Sequence, residues 1–521
     1  MMKFLRSASA RMVAFGLAAL TGLAGLTGSA AAFCGFFVSG ADAKLYNNAS
    51  QVVLMRKGNH TVMTMSNNYK GPPEDFAMVV PVPVVLQKEQ VKTLSPDVFK
   101  HIDDLSAPRL VEYWEQDPCR PRELDYLKKG GAVRRMAAPK AEKPADAEDL
   151  GVKIEAKFEV GEYQILILSA KDSTGLDKWL RQNKYNIPAG ADAALAPYIR
   201  DQMKFFVAKV DIKKVRKDSH GLLVLSPLRF GFDAAELRLP VRLGLLNAES
   251  KQDLLVYVLS PDSRYEVANY PNVFVPTNIE VADSVRHGFG SFYAELFDET
   301  LRRNNNKAVV TEYSWQTTSC DPCPTPPLQE SELHILGDEQ IFPGSVLASP
   351  EGGQSQQLQI ASPAASAGAM PQMPVRRRPF FGGGSSWVLT RLHTRYDRET
   401  LKEDLIFRAA RPAVGGRANW DGTVGDQAAV VSQQDGGVNN FQGRYIIRHY
   451  WEGAVSCSEP RYGIWGGPPG SGRYGKPPAS TATDLANAPR GQMKLGAVIQ
   501  SPVPALGIAG KKRPLRPGET R

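Results

Sequence analysis

The chain has 521 residues, 42% of them apolar, and 63 Lys and Arg against 54 Asp and Glu give a net charge of +9. That charge sits at the ends: Lys3, Arg6 and Arg11 supply +3, residues 466–521 supply +7, and the body between them is close to neutral. A near-neutral body excludes a basic nucleic-acid-binding face, and 46 Gly with 38 Pro point to many turns.

Residues 1–32 read as an export signal. A positive start precedes an apolar run over 12–26, and Ser29-Ala30-Ala31-Ala32 supplies small residues for cleavage. Cleavage after Ala32 leaves Phe33-Cys34 at the new N-terminus. Phe33 is too bulky for the position before an acylated cysteine. Residues 12–32 are too rich in Gly, Ala and Thr for a retained anchor, which needs about 20 strongly apolar residues. The expectation is an exported protein, periplasmic or extracellular, whose mature chain has no transmembrane segment.

Residues 33–127 are predicted to be β-rich. The apolar runs over 52–55 and 62–65 flank Lys57-Gly58-Asn59-His60 as a hairpin. A third strand over 76–80 ends at an edge, because Pro81 and Pro83 cannot donate to a ladder. Ser95-Pro96-Asp97 starts a helix running toward Leu105. Residues 128–150 lose large apolar residues and read as a flexible insertion.

Residues 151–344 are predicted to form a central α+β domain. Ile154, Ala156, Phe158 and Val160 alternate with charged residues as a half-buried strand, and 163–168 follow as another. Ser173 or Thr174 caps a helix carrying Leu176, Trp179 and Leu180 on one face, and a second helix carries Leu195, Ile199 and Met203. Further strands are expected over 206–212, 237–245, 254–259 and 308–315, with a helix over 292–303. Residues 345–385 read as a disordered linker. Residues 386–465 form a C-terminal β-rich segment that completes the body, with strands over 388–396 and 444–451. His393, in register with Arg391 and Arg395, is expected to face solvent. From 466 onward a disordered basic tail is predicted. The fold class is α+β: mainly antiparallel sheets with several helices, stapled by disulfides.

There are five cysteines: Cys34, Cys119, Cys320, Cys323 and Cys457. In an exported chain pairing is the default, and the odd count leaves one over, so all five are candidate structural cysteines with 15 possible connectivities. Three segments echo one another: Glu112-Tyr113-Trp114 before Cys119, Glu312-Tyr313-Ser314-Trp315 before Cys320-Asp321-Pro322-Cys323, and His449-Tyr450-Trp451 before Cys457. Each reads as an aromatic strand end stapled at a turn; a shared Trp/Tyr recognition patch is the alternative.

Catalytic motifs are scarce. Cys320-Asp321-Pro322-Cys323 has redox spacing, but Pro324, Pro326 and Pro327 oppose the helix that a reactive thiolate needs. His60, His101, His220, His287, His334, His393 and His449 form no zinc-protease pair, and no nucleophile elbow, phosphate loop or dinucleotide motif occurs. No metal, cofactor or catalytic residue is assigned. Gly71-Pro72-Pro73-Glu74-Asp75 and Asp421-Gly422 with Asp426 read as a turn and a loop.

Several runs carry a resemblance. Phe33-Cys34-Gly35-Phe36-Phe37-Val38, Gly40-Ala41-Asp42-Ala43-Lys44-Leu45, Pro72-Pro73-Glu74-Asp75-Phe76 with Val80-Pro81-Val82-Pro83, and Cys320-Asp321-Pro322-Cys323-Pro324 resemble the bacterial domain-of-unknown-function family numbered 2330 over about residues 33–465. The resemblance implies an exported bacterial protein and carries over no catalytic residue. Some relatives have a C-terminal membrane anchor, where this chain has a basic, Pro-rich end.

Together these readings favour a non-enzymatic binding or cell-envelope scaffold protein, meeting envelope proteins or an anionic envelope surface through its basic tail. The alternatives are an envelope enzyme, either a thiol–disulfide reagent using Cys320 and Cys323 or a hydrolase, and an assembly partner whose odd cysteine bridges two chains.

Overall fold

A computed structural model describes residues 36–39, 49–67, 76–119, 152–217, 223–247, 251–342, 387–416, 432–433, 438–471 and 476–511, less Lys184, Asn186, Ala189, Asp262, Asp484, Ala486 and Asn487. The signal, Cys34, His220, the 128–150 insertion, the 345–385 linker and the clusters at 71–75 and 421–426 lie outside the described residues.

The centre is an 11-stranded sheet. Its heart runs in the order Val309–Gln316, Val388–Tyr396, Gln252–Ser260, Ala49–Lys57, His60–Asn67 and Leu228–Asp233. The predicted hairpin is there: Val52 faces Met65 and Leu54 faces Met63 across antiparallel strands. Gly58 takes the positive φ (+56°) that its tight turn requires. The sheet is mainly antiparallel, but Gln252–Ser260 pairs Ala49–Lys57 in parallel.

One face of this sheet packs on a second sheet of Phe36–Ser39, Phe76–Val82, Lys204–Val210, Tyr163–Ala170 and Val152–Val160. Val52, Leu54, Met63, Val256 and Leu392 meet Met78, Val80, Ile165 and Phe206 in one apolar core. Among the described residues Phe36–Ser39 pairs only with residues 76–79 of its neighbour, so Pro81 has a ladder partner on one side alone, as its missing N–H allows. Helices then cover both outer faces, giving a layered α+β body. Helix α1 (Asp97–Ser106) lies on the central sheet and buries Phe99, Ile102 and Leu105 there. Helices α2 (Ser173–Gln182) and α3 (Ala191–Arg200) lie on the second sheet and bury Leu176, Trp179, Leu195 and Tyr198. Helix α4 (Phe289–Arg303) covers the other end of the central sheet with Phe292, Tyr293, Leu296 and Phe297.

Four local expectations differ from the structure. Asp172, not Ser173 or Thr174, caps α2, its Oδ1 accepting from Gly175 N at 2.6 Å. The strand expected over 237–245 stops at Leu239: Pro240 cannot donate, and Asp404 accepts the N–H of Val241 (3.0 Å), so a short helical turn follows over Arg242–Asn247. The strand expected over 444–451 ends at His449; it lies in a smaller sheet beside Arg109–Glu115, while Val388–Tyr396 lies inside the central sheet. Finally, chain order continues well past 466. Ala479–Thr481 adds a strand, and Ala482, Leu485, Ile499, Val503 and Leu506 pack into the α4 core. Those five apolar residues are scattered among Pro, Gly and Lys without a period, which hid the strap in the sequence. The remainder of the expected tail, 512–521, lies outside the described residues.

Among the described residues, no helix is long and apolar enough to cross a membrane.

Candidate functional site

Two of the three echoed segments become neighbours. Arg109–Glu115 and Arg444–His449 pair in parallel, so Trp114 lies beside His449, with their rings stacked at 4.3 Å. Just beyond the strand ends Cys119 and Cys457 form a disulfide across 338 residues of sequence, with Cα atoms 5.4 Å apart. Ile279–Glu280 and Trp465–Gly466 complete this stapled sheet on either side. The remaining echo closes on itself: Cys320 and Cys323 are bridged with Cα atoms 4.9 Å apart. That bridge lies in a loop, and the next helix begins only at Glu330, so neither sulfur sits at a helix N-terminus. The loop is tied into the body. Arg109, wholly buried, donates to Pro322 O at 2.7 Å, and the buried Gln442 amide donates to Asp321 O. Burial lowers the pKa of Arg109 to about 10.

A cleft of about 530 Å³ opens on the stapled sheet. It is lined by Ile447 to Tyr450, by Glu280 to Asp283, and by Gln500 and Lys511 of the C-terminal strap. The charged groups are mutually paired. Glu280 binds Arg448 Nη1 (2.8 Å) and accepts from the Tyr450 hydroxyl (2.9 Å). Arg448 also lies 5.2 Å over the Trp465 ring. Below, Arg286 makes a two-pronged contact to Glu112 (2.9 and 2.6 Å) and reaches Asp283 at 2.5 Å. His449 Nε2 meets Glu112 at 2.9 Å. Burial pushes the Glu112 carboxyl up, but Arg286 and His449 more than offset it and hold it below its ordinary value. Glu112, Asp283 and His449 are close enough to share a cation. Arg286 already occupies that role, so the residues fit an ion-pair cluster better than a metal centre.

The second echoed segment carries a similar cluster inside the protein. Glu312 accepts from Arg391 Nε at 2.6 Å, from His393 Nδ1 at 2.7 Å and from the Tyr293 hydroxyl at 2.6 Å. The other ring nitrogen of His393 faces Asp253 at 3.0 Å. Phe297 of α4 stacks on the imidazole at 3.9 Å. Arg391 also binds Asp103 of α1, and the strap brings Arg490 to Asp253 (3.4 Å) and to Asp298. The expectation that His393 faces solvent is therefore corrected: it is 1% exposed. Period-two alternation separates two faces of a strand, but here α4 and the strap cover the polar face as well. Burial disfavours the imidazolium, yet the two carboxylates raise the pKa of His393 above its ordinary value. Burial likewise opposes the Glu312 carboxylate, and His393 with Arg391 brings it down to about 2.

The other histidines serve contacts between elements. His60 meets Asp233 at 2.9 Å, His101 joins Glu332 and Pro326 O, and His334 lies 3.4 Å from Asp338, while His287 is exposed. His334, Asp338 and Glu339 also cluster, but Arg229 already binds Glu339. Among the described residues every cysteine is in a disulfide, so none presents a thiol. Sequence reading singled out the cysteines and their Trp neighbours. It missed Arg286, Glu280 and Arg448, whose signal is only that each is a charged residue near apolar ones.

Comparison with known proteins decides the family. The profile described as uncharacterized protein conserved in bacteria (DUF2330) matches residues 28–408. The chain belongs to that bacterial family. The match ends before Arg444–His449 and Cys457, so the cleft lies partly beyond it. No curated protein and no solved structure matches.

Proposed function

We propose that this member of DUF2330 is an exported, non-enzymatic binding protein of the bacterial cell envelope, and that it binds through the cleft on the stapled sheet. The observation that carries this reading is the Cys119–Cys457 disulfide, which ties the strand Arg444–His449, whose end lines the cleft, to its neighbour Arg109–Glu115. Such a bridge persists in an oxidising compartment. The signal-like residues 1–32 support the same location. The cleft's charged groups are held in pairs before any ligand arrives, as a preorganised binding site requires. Lys511 stands at its rim, and Lys512, Arg513 and Arg516 follow, a basic run suited to an anionic envelope surface.

The test is fractionation of cells making the full-length chain, with the thiols trapped by alkylation at lysis. Recovery outside the cytosol with Cys119 and Cys457 bridged is expected. A second reading, a thiol–disulfide reagent, is favoured by the exposed position of Cys323. It requires that Cys320 and Cys323 be found reduced and reactive in part of the exported protein.

A further inference from the structure

The cleft's lining has a particular chemistry. Glu280 is matched by Arg448 and Asp283 by Arg286, while Lys511 Nζ donates to Ala497 O at 2.8 Å. A charged ligand has to break one of these pairs before it gains Glu280, Arg448, Asp283 or Arg286 as a partner. A hydroxyl both donates and accepts, so it adds to a carboxylate or a guanidinium and leaves the pair intact. Between the polar groups lie the flat ring of Tyr450 and the apolar surfaces of Val281, Ala282 and Ile447. Tyr450 is fixed, packed edge-on against Trp465 at 5.3 Å with its hydroxyl on Glu280. A fixed aromatic ring offers a face for C–H groups at little cost in conformational entropy. The volume of about 530 Å³ lies within the ~300–1,000 Å³ span of small-molecule sites.

We propose that the cleft takes a neutral oligosaccharide: hydroxyls meet Glu280, Arg448, Gln500 and Lys511, and a C–H face meets Tyr450. This rests on the reading of the cleft as the binding face, and it adds the ligand class.

The experiment titrates the mature chain, by calorimetry and tryptophan fluorescence, with chitotriose, maltotriose and cellotriose, and in parallel with trigalacturonate and inorganic phosphate. Binding of at least one neutral trisaccharide is expected, with less than about a twofold change between low and high salt, since no net charge is exchanged. Tyr450→Ala and Glu280→Gln should each weaken it about tenfold or more, the loss of one charged hydrogen bond or one stacked ring. The isosteric Glu280→Gln, checked by circular dichroism, guards against a folding defect. Pelleting with purified cell-wall sacculi, competed by the trisaccharide, assigns the sugar to the wall; trisaccharide binding without pelleting assigns it to a free sugar. Salt-sensitive binding of trigalacturonate or phosphate alone, lost in Tyr450→Ala, overturns the neutral-sugar class while the cleft remains the binding face. Trisaccharide binding that both variants retain unchanged overturns the cleft itself, and silence from every probe overturns the neutral-sugar proposal.

Discussion

His393 donates to Glu312 at 2.7 Å in the middle of the protein, and its second ring nitrogen faces Asp253, so both nitrogens point at carboxylates. A neutral imidazole donates from only one nitrogen. Both carboxylates favour the imidazolium, which the native state holds below the raised pKa, with Arg391, Arg395, Tyr293, Asp298 and Arg490 in the same cluster. Because the pKa of His393 is raised from 6.5 on folding, its contribution is complete below about pH 6.5 and is lost as pH climbs through the raised value. Glu312 falls from 4.5 to about 2, so its contribution is present above about pH 4.5 and is lost as pH drops toward 2. The pair gives most stability between those limits. Melting temperature measured from about pH 3 to about pH 10 should peak in mild acid, and His393→Gln should flatten the alkaline decline. An unchanged decline in that variant contradicts the assignment.

Arg391 joins α1 to the central sheet by binding both Asp103 and Glu312, and it is fully buried. Arg391→Met leaves buried Asp103 without its cation and Glu312 with His393 alone, and should cost about 3–5 kcal/mol in urea denaturation. Adding Asp103→Asn to it should recover part of that loss, since the acid left without a cation is removed. A double variant less stable than Arg391→Met would argue against the pairing.

The two disulfides should differ in weight. Cys119–Cys457 closes a very long loop, so replacing both by Ser should lose about 2–5 kcal/mol. Cys320–Cys323 closes a loop of a few residues, and its removal should cost less, through the loosened acceptors of Arg109 and Gln442. Calorimetry of the two double-Ser variants orders them.

The C-terminal strap should behave as part of the body. Ending the chain at Gly470 removes Leu485, Ile499, Val503 and Leu506 from the α4 core. It also removes Arg490 from Asp253 and Asp298. That truncation should expose apolar surface, read as increased binding of a hydrophobic dye and a lowered melting temperature. Arg490→Ala should reproduce part of the loss. A Gly470 truncation as stable as the full chain refutes the strap.

Much of the body was legible in the sequence because its strands carry their own signals. Ala49–Lys57 and His60–Asn67 announce a hairpin by two apolar runs around Gly58, and Lys204–Val210 shows apolar alternation at Phe206, Ala208 and Val210. What period two leaves open is whether a polar face is covered. Arg391 and His393 looked like an outer face because α4 lies about 90 residues upstream and the strap about 90 downstream. The cleft was half legible: the Trp–Cys echoes marked the strands that the disulfide joins. Glu280 and Arg286 are brought to them only by chain packing, for which no local pattern exists.

The proposed export, with the strands Arg109–Glu115 and Arg444–His449 tied by Cys119 and Cys457, is read out by expressing the full-length chain in bacteria, separating periplasm from cytosol, and mapping unreduced peptides by mass spectrometry. Periplasmic protein beginning at Phe33 is expected, with the Cys119 and Cys457 peptides recovered as one linked species. Cytosolic protein with residues 1–32 still attached and all cysteines alkylated as free thiols would contradict it.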